Sequence, residues 1–138
     1  MENRELVMEA VKARKQAYCP YSGFAVGAAL LGVDDRVFTG CNIENAAYPA
    51  TNCAERTAIF KAVSEGKTEF RAIAIFGGPK GKEPENFCAP CGVCRQVMAE
   101  FCDPETFRII LMNGAGEIRE YLLKELLPLG FTGKALEI

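Results

Sequence analysis

The chain has 138 residues, a formal net charge of -2, seven cysteines and no histidine. This length suits one compact domain and is too short for two, so residues 1–138 are expected to form a single domain. The lack of histidine excludes serine–histidine triads and histidine-based metal sites, and the acidic balance argues against nucleic-acid binding, which normally shows as a basic surface.

The first part of the chain predicts a helix followed by a hairpin of two strands. Small and apolar residues recur at helical spacing from residue 4 to about residue 17, and the segment 19–23, which contains proline and glycine, ends this helix. Residues 24–33 and 36–42 are typical of two strands joined at Asp34-Asp35.

The middle of the chain predicts a helix, a buried strand and a loop. Alanines recur every four residues within 53–65, and Gly66 follows where a helix often ends. The near-continuous apolar run over residues 70–76 is typical of a central strand. The glycine- and proline-rich segment 77–84 predicts a mobile loop.

The last part predicts a third helix over residues 91–101, two strands over 107–112 and 117–121, and a short helix over 122–127. The order of these elements indicates an α/β fold with a five-stranded mixed sheet and helices on its faces. The strand–helix–strand connections predict parallel neighbours in the middle of the sheet.

The N-terminal segment is charged and has no apolar stretch of the kind that a signal peptide requires. No apolar run approaches the ~20 residues of a membrane span. We therefore expect a cytoplasmic protein that does not bind membranes. In a reducing cytosol, seven cysteines indicate metal binding, catalysis or burial rather than disulfide bonds.

Two cysteine clusters lie at predicted helix starts, where the partial positive charge of the helix favours a thiolate. Cys91 and Cys94 share one face of a helical turn, so they could bind one tetrahedral zinc ion together with Cys53. Three protein ligands leave the fourth position open, as in catalytic zinc sites. Glu55 could lie beside the metal and transfer protons, and Arg56 could offset the negative charge of three thiolates.

Simpler interpretations exist for each cluster. The spacing Asn52-x-x-Glu55 matches a capping box. The motif Pro90-Cys91-x-x-Cys94 alone could be a redox dithiol or half of a structural zinc site. Arg56 and Arg95 would ordinarily be solvent-facing helix residues.

The remaining cysteines divide into one ambiguous residue and three structural ones. Cys88 precedes Cys91 by three residues, as in an iron–sulfur cluster motif, but that motif needs a further cysteine where Met98 stands. Cys88 could also be the fourth ligand of a structural zinc site. The others, Cys19, Cys41 and Cys102, are expected to be small buried residues.

The sequence resembles the homotetrameric zinc-dependent cytidine deaminases over nearly its whole length. The motifs that carry the resemblance are Cys41 to Pro49, Cys53-Ala54-Glu55-Arg56-Thr57-Ala58, Pro90 to Gln96, and Glu125 to Phe131. The resemblance implies a three-layer cytidine-deaminase-like fold and one Zn²⁺ per chain. It also implies hydrolysis of cytidine and 2′-deoxycytidine to uridine and 2′-deoxyuridine with release of ammonia, in pyrimidine salvage.

The resemblance assigns roles to individual residues. Zinc would be bound by Cys53, Cys91 and Cys94, and Glu55 would move the protons. Asn42 and Glu44 would hydrogen-bond the ribose. The remaining substrate contacts would be Phe24 on the pyrimidine ring, Ala54, and Tyr48 and Phe131 near the active site of a neighbouring subunit. Judged without the resemblance, the three aromatic residues would be core or interface residues, and the two ribose contacts would be turn or surface polar groups.

Other substrates share the same zinc chemistry: a nucleobase, a nucleoside antibiotic such as blasticidin S, or a base within a nucleic acid. The net charge of -2 speaks against the nucleic acid. A structural-zinc interaction module, with Cys88 as the fourth ligand, is the non-enzymatic alternative.

Overall fold

A five-stranded sheet organises the chain in the computed structural model, which describes residues 1–136. Its strands are β1 (Phe24–Gly32), β2 (Val37–Cys41), β3 (Phe70–Pro79), β4 (Arg108–Met112) and β5 (Ile118–Leu122). They lie in the order β2-β1-β3-β4-β5. The pair β3 and β4 is parallel and the other neighbours are antiparallel. Parallel neighbours in the middle of the sheet are therefore confirmed.

Helices cover both faces of this sheet. They are α1 (Asn3–Arg14), α2 (Ala54–Ser64), α3 (Gly92–Phe101) and the short α4 (Leu123–Leu126), and 3₁₀ turns occupy Tyr48–Ala50 and Gly133–Leu136. Buried residues of α1 pack on one face of the sheet, and those of α2, α3 and α4 pack on the other. Residues 137 and 138, which the predicted domain includes, lie outside the described residues.

The alternation of side chains along the strands explains the apolar run in β3. Ile73 and Ile75 face the side of α2, whereas Ala72 and Ala74 face α1. Because both faces of the sheet are covered, both sets of side chains must be apolar. Each helix within residues 1–136 is too short or too polar to span a bilayer.

The predicted loop over residues 77–84 is wrong at its start, because β3 continues to Pro79. Gly77 and Gly78 pair with Val26 and Ala25 of β1. A Cβ added at Gly77 would lie 2.8 Å from Val26 Cγ2 and 3.1 Å from Cys88 Sγ. The glycine is needed here for close packing within a strand, a requirement that composition does not distinguish from that of a turn.

Helix α1 ends at Arg14 rather than near residue 17. The amides that follow the helix bond to carbonyls three residues earlier, as in the bond of 3.1 Å from Ala17 N to Arg14 O, so the chain tightens into turns. The helix also lies against β1 at Gly27, where an added Cβ would be 2.0 Å from Ala10 O and 2.5 Å from Arg14 N. This close packing brings Arg14 next to the beginning of β1.

Candidate active site

Three cysteines converge at the N-termini of α2 and α3. Cys53 is the N-cap of α2, Cys91 is the N-cap of α3, and Cys94 lies in the first turn of α3. Their sulfur atoms all lie within 4.8 Å of one another, and the Sγ atoms of Cys53 and Cys91 are 3.9 Å apart. This three-cysteine group is the one cluster of that kind in the part of the chain that the structure describes.

The donor set of this group fits zinc. Thiolates are preferred zinc ligands, and four tetrahedral sulfurs at the usual Zn–S length of about 2.3 Å lie about 3.8 Å apart. The separation of 3.9 Å between Cys53 and Cys91 agrees with that value. Helix N-termini on both sides further favour the deprotonated thiols that a metal needs.

The capping-box interpretation of Glu55 is wrong. Helix α2 begins at Ala54 with Cys53 in the N-cap position, and Asn52 donates its side-chain amide to Thr57 Oγ1 at 3.1 Å. Glu55 is therefore the second residue of the helix, whereas a capping box needs the glutamate at the third. Capping therefore does not explain why Glu55 lies next to the three-cysteine group.

Cys88 lies outside the three-cysteine group. It is partly buried beside Gly77, and burial raises the pKa of its thiol to about 12. The sulfur atoms that lie within 4.8 Å of one another belong to Cys53, Cys91 and Cys94, so the geometry of the described residues does not support a structural zinc site with Cys88 as fourth ligand. Of the cysteines predicted to be structural, Cys19 and Cys102 are buried, while Cys41 is only half-buried.

Arg56 contacts the three-cysteine group directly, and it is not the solvent-facing residue that its helical position suggested. Its Nη2 donates to Cys53 Sγ at 3.2 Å, and its Nε is buried without a hydrogen-bond partner among the described residues. Hydrogen bonds from Cys94 and from Arg56, against the opposing effect of burial, lower the pKa of Cys53 to about 5. The hydrogen bond shared with Cys53 raises the pKa of Cys94.

Replacement of Arg56 by alanine is expected to weaken zinc binding by about 10- to 100-fold, the usual effect of losing a partner of a metal ligand. The variant removes the positive charge and the hydrogen bond at Cys53 Sγ, so the thiolate is less stabilised. Chelator competition followed by metal analysis measures the change. Arg36→Ala is the control, because Arg36 bonds Glu65 at the far end of α2 at 3.1 Å. Unchanged zinc affinity and unchanged turnover in Arg56→Ala would contradict the predicted role.

Glu55 is buried beside the three-cysteine group, with 4% of its surface exposed. Burial raises the pKa of its carboxyl to about 7. Near neutral pH such a carboxyl is present in both protonation states, so it can accept a proton in one step and return it in another. This property suits the predicted proton transfer.

Asn42 and Glu44, the two predicted ribose contacts, lie just after β2 and form hydrogen bonds with Phe24 and residues close to it. The side chain of Asn42 accepts from Val26 N at 2.9 Å and donates to Phe24 O at 2.7 Å. The carboxylate of Glu44 accepts from the backbone amide of Ser22 at 3.0 Å and from the Ser22 hydroxyl. Hydrogen bonds from Ser22 lower the pKa of Glu44, so it is a carboxylate at neutral pH. Ser22 was not predicted, and its position before Gly23 in the turn was the available signal.

The other predicted substrate contacts occupy different environments. Ala54 is fully buried at the start of α2. Phe24 is 40% exposed and lines a cavity of about 230 Å³ with Gly77 and Phe87. Tyr48 is 72% exposed and Phe131 is 59% exposed, so in the single chain both present their rings to solvent. Their roles in a neighbouring subunit stay predictions.

Arg95 is a further residue whose role the spacing did not reveal. Its Nε donates to Pro90 O at 2.8 Å and its Nη1 donates to Leu126 O at 2.7 Å. It thereby fixes the residue before Cys91 to the end of α4. The bond to Leu126 joins segments far apart in the chain, so local sequence could not predict it.

Known proteins are similar to this chain in sequence. The family described as "Cytidine and deoxycytidylate deaminase zinc-binding region" matches residues 1–110. A protein named cytidine deaminase from Sporosarcina psychrophila is 49% identical over 136 residues, which cover 99% of this chain and 96% of that protein. One of the same name from Halalkalibacterium halodurans is 52% identical over 134 residues, covering 97% of each.

A solved structure extends the similarity to three dimensions. The crystal structure of cytidine deaminase from Burkholderia pseudomallei matches with a TM-score of 0.86 at 47% identity, over 95% of this chain and 100% of that one. The α/β fold with its five-stranded mixed sheet is thereby confirmed. Fold and three-cysteine group together define a zinc-dependent deaminase, a hydrolase with one zinc ion per chain. The chain belongs to the cytidine deaminase family.

Proposed function

We propose that this chain hydrolyses cytidine and 2′-deoxycytidine to uridine and 2′-deoxyuridine, with release of ammonia, in pyrimidine salvage. The observation that carries the proposal is the three-cysteine group at two helix N-termini with the buried Glu55 beside it. Identity of about half the residues to two proteins named cytidine deaminase, over nearly the full length, supports cytidine as the substrate.

The chain's own residues would divide the chemistry between them. Cys53, Cys91 and Cys94 would hold the zinc ion, which when bound supplies a Lewis acid that makes water nucleophilic near neutral pH. Glu55 would accept one proton of that water and deliver it to the pyrimidine ring nitrogen, which keeps it in the product. It would then carry the second proton, from the hydroxyl added at C4, to the leaving amine. The bond from C4 to oxygen forms, the bond from C4 to nitrogen breaks, and ammonia leaves.

The nucleoside would lie between β1 and the residues that follow β2. Phe24 would pack against the pyrimidine ring, and Ala54 would contact it from the start of α2. Asn42 and Glu44 would hydrogen-bond the ribose hydroxyls. Asn42 keeps a second amide hydrogen and a second lone pair beyond its bonds to Phe24 and Val26, so it can bind backbone and sugar together.

The working form would be a cytoplasmic homotetramer of single-domain chains with shared active sites, without nucleic-acid or membrane partners. Tyr48 and Phe131 support this assembly, since both are large aromatic side chains that the single chain leaves mostly exposed. In the tetramer they would approach the active site of a neighbouring subunit. A monomer in light scattering with full activity would overturn the shared site.

An absorbance assay tests the substrate. Purified protein with measured zinc content is incubated with cytidine, 2′-deoxycytidine, cytosine and blasticidin S in parallel. Deamination of the two nucleosides, with little change of cytosine or blasticidin S, is the expected result. Activity on blasticidin S but not on cytidine would select the antibiotic as the substrate instead, and inactivity of a zinc-loaded protein on all four would contradict the proposal.

A further inference from the structure

Arg14, the last residue of α1, binds four backbone carbonyls at once. Its Nε donates to Ala25 O at 2.9 Å. Its Nη2 lies 3.1 Å from Gly78 O, 2.8 Å from Pro79 O and 3.1 Å from Lys82 O, and shares its hydrogens among them. One side chain therefore joins β1, the end of β3 and the segment that follows β3.

Three of these carbonyls, those of Gly78, Pro79 and Lys82, belong to residues that line the cavity of Phe24, and the fourth belongs to Ala25, the residue after Phe24. Phe24 pairs with Pro79, and Ala25 pairs with Gly78, in the ladder between β1 and β3. Phe24, Gly78, Pro79 and Lys82 all line the cavity of about 230 Å³. The guanidinium of Arg14 thus links the start of β1 to the segment 78–82 through their backbone.

The packing around Arg14 fixes the direction of its side chain. The missing Cβ of Gly27 lets the backbone of Arg14 lie against β1, as the 2.5 Å from an added Cβ to Arg14 N shows. The guanidinium also lies over the ring of Phe76, 5.7 Å from its centroid. A planar fork with several N–H groups suits this set of acceptors, whereas the single ammonium of a lysine could bind only some of them.

We propose that Arg14 is a positioning residue that holds Phe24 in place from the side of β3, through Ala25 and the segment 78–82, and thereby sets the Phe24 wall of the nucleoside site. This role rests on the proposed function, because it takes Phe24 as a wall of the nucleoside site. Arg14 acts on binding more than on chemistry, since Glu55 and the three-cysteine group lie on α2 and α3. Its loss should therefore raise KM and leave kcat nearly unchanged.

A double-mutant cycle on cytidine tests this role. Arg14→Ala should raise KM about tenfold, with kcat within about threefold of wild type, since a displaced binding wall weakens ground-state binding. Calorimetry with uridine should show a matching loss of affinity without any turnover. In the Phe24→Ala background, Arg14→Ala should add no more than about twofold, because the wall that it positions is gone.

Arg4→Ala is the matched control, because Arg4 also lies on α1 and donates to a backbone carbonyl, that of Gly116, at 3.0 Å. It should leave KM within about twofold of wild type.

Arg14→Lys should give an intermediate KM, and it still tests the role if Arg14→Ala does not fold. The role of Arg14 would be overturned if KM stayed at the wild-type value in Arg14→Lys and in any folded Arg14→Ala, or if the effects in the cycle were fully additive. Either result would leave the proposed function standing. A zinc-loaded wild type that does not deaminate cytidine would instead contradict the proposed function, and this role with it.

Discussion

Glu55→Gln is expected to lower kcat for cytidine by about 10²- to 10⁴-fold, the contribution of a well-placed acid–base group. Glutamine has nearly the same size and fills the same buried position, but its amide cannot accept a proton from water and return it. Cytidine absorbance measures turnover. Metal analysis should show one zinc ion per chain in the variant, because Glu55 is not a member of the three-cysteine group.

The control for this variant is Glu65→Gln at the other end of the same helix. Glu65 is the C-cap of α2 and pairs with Arg36 at the surface. Its replacement removes one carboxylate, as Glu55→Gln does, but at the end of α2 that is far from the three-cysteine group. It should leave kcat within about twofold of wild type, as surface substitutions usually do. A Glu55→Gln protein as active as wild type would refute the proton-transfer role.

Cys91→Ser is expected to reduce bound zinc from one ion per chain to almost none, with a parallel loss of deamination. A serine hydroxyl is far less acidic than a thiol and is a weak zinc ligand, so only two thiolates would remain. Cys91 is exposed, and its replacement therefore leaves the hydrophobic core intact. Metal analysis after dialysis against a mild chelator measures the loss, and circular dichroism reports whether the fold is retained.

Cys88→Ser is the matched variant for the zinc experiment, since Cys88 stands three residues before Cys91 and lies outside the three-cysteine group. It should keep one zinc ion per chain and most of the activity. Zinc loss in Cys88→Ser together with zinc retention in Cys91→Ser would reverse the assignment of the ligands.

The helices and strands follow from local patterns to within a few residues. The apolar run that predicted a central strand lies in β3, and the cysteine motifs lie at the starts of α2 and α3. The largest error, at residues 77–79, arises because glycine is used both in turns and where a strand packs closely against its neighbours. The closeness of Val26 and Cys88 to Gly77 shows that close packing is the reason here.

The candidate site was predictable where its residues are close in sequence. Glu55 follows Cys53 by two residues, and Cys91 and Cys94 share a helical turn, so spacing and helix geometry place them together. Spacing could not separate Cys88 from Cys91, because Cys88, Cys91 and Cys94 are evenly spaced. The start of α3 at Gly92 distinguishes them, because it places Cys91 and Cys94 at the helix N-terminus and leaves Cys88 before it.

The kind of site follows from the sequence: with seven cysteines and no histidine, a zinc centre in this chain has to use thiolates or carboxylates, and the cysteine motifs favour thiolates. Tertiary packing was needed to place Cys88 outside the group that Cys53 forms with Cys91 and Cys94. It was also needed to bring Arg56 into contact with Cys53, and to join β1 through Arg14 to the segment after β3. The difference comes from the range of the interactions. Helix spacing and thiol chemistry act within a few residues, whereas these contacts depend on the order of strands in the sheet and on how closely α1, α2 and α3 pack against it.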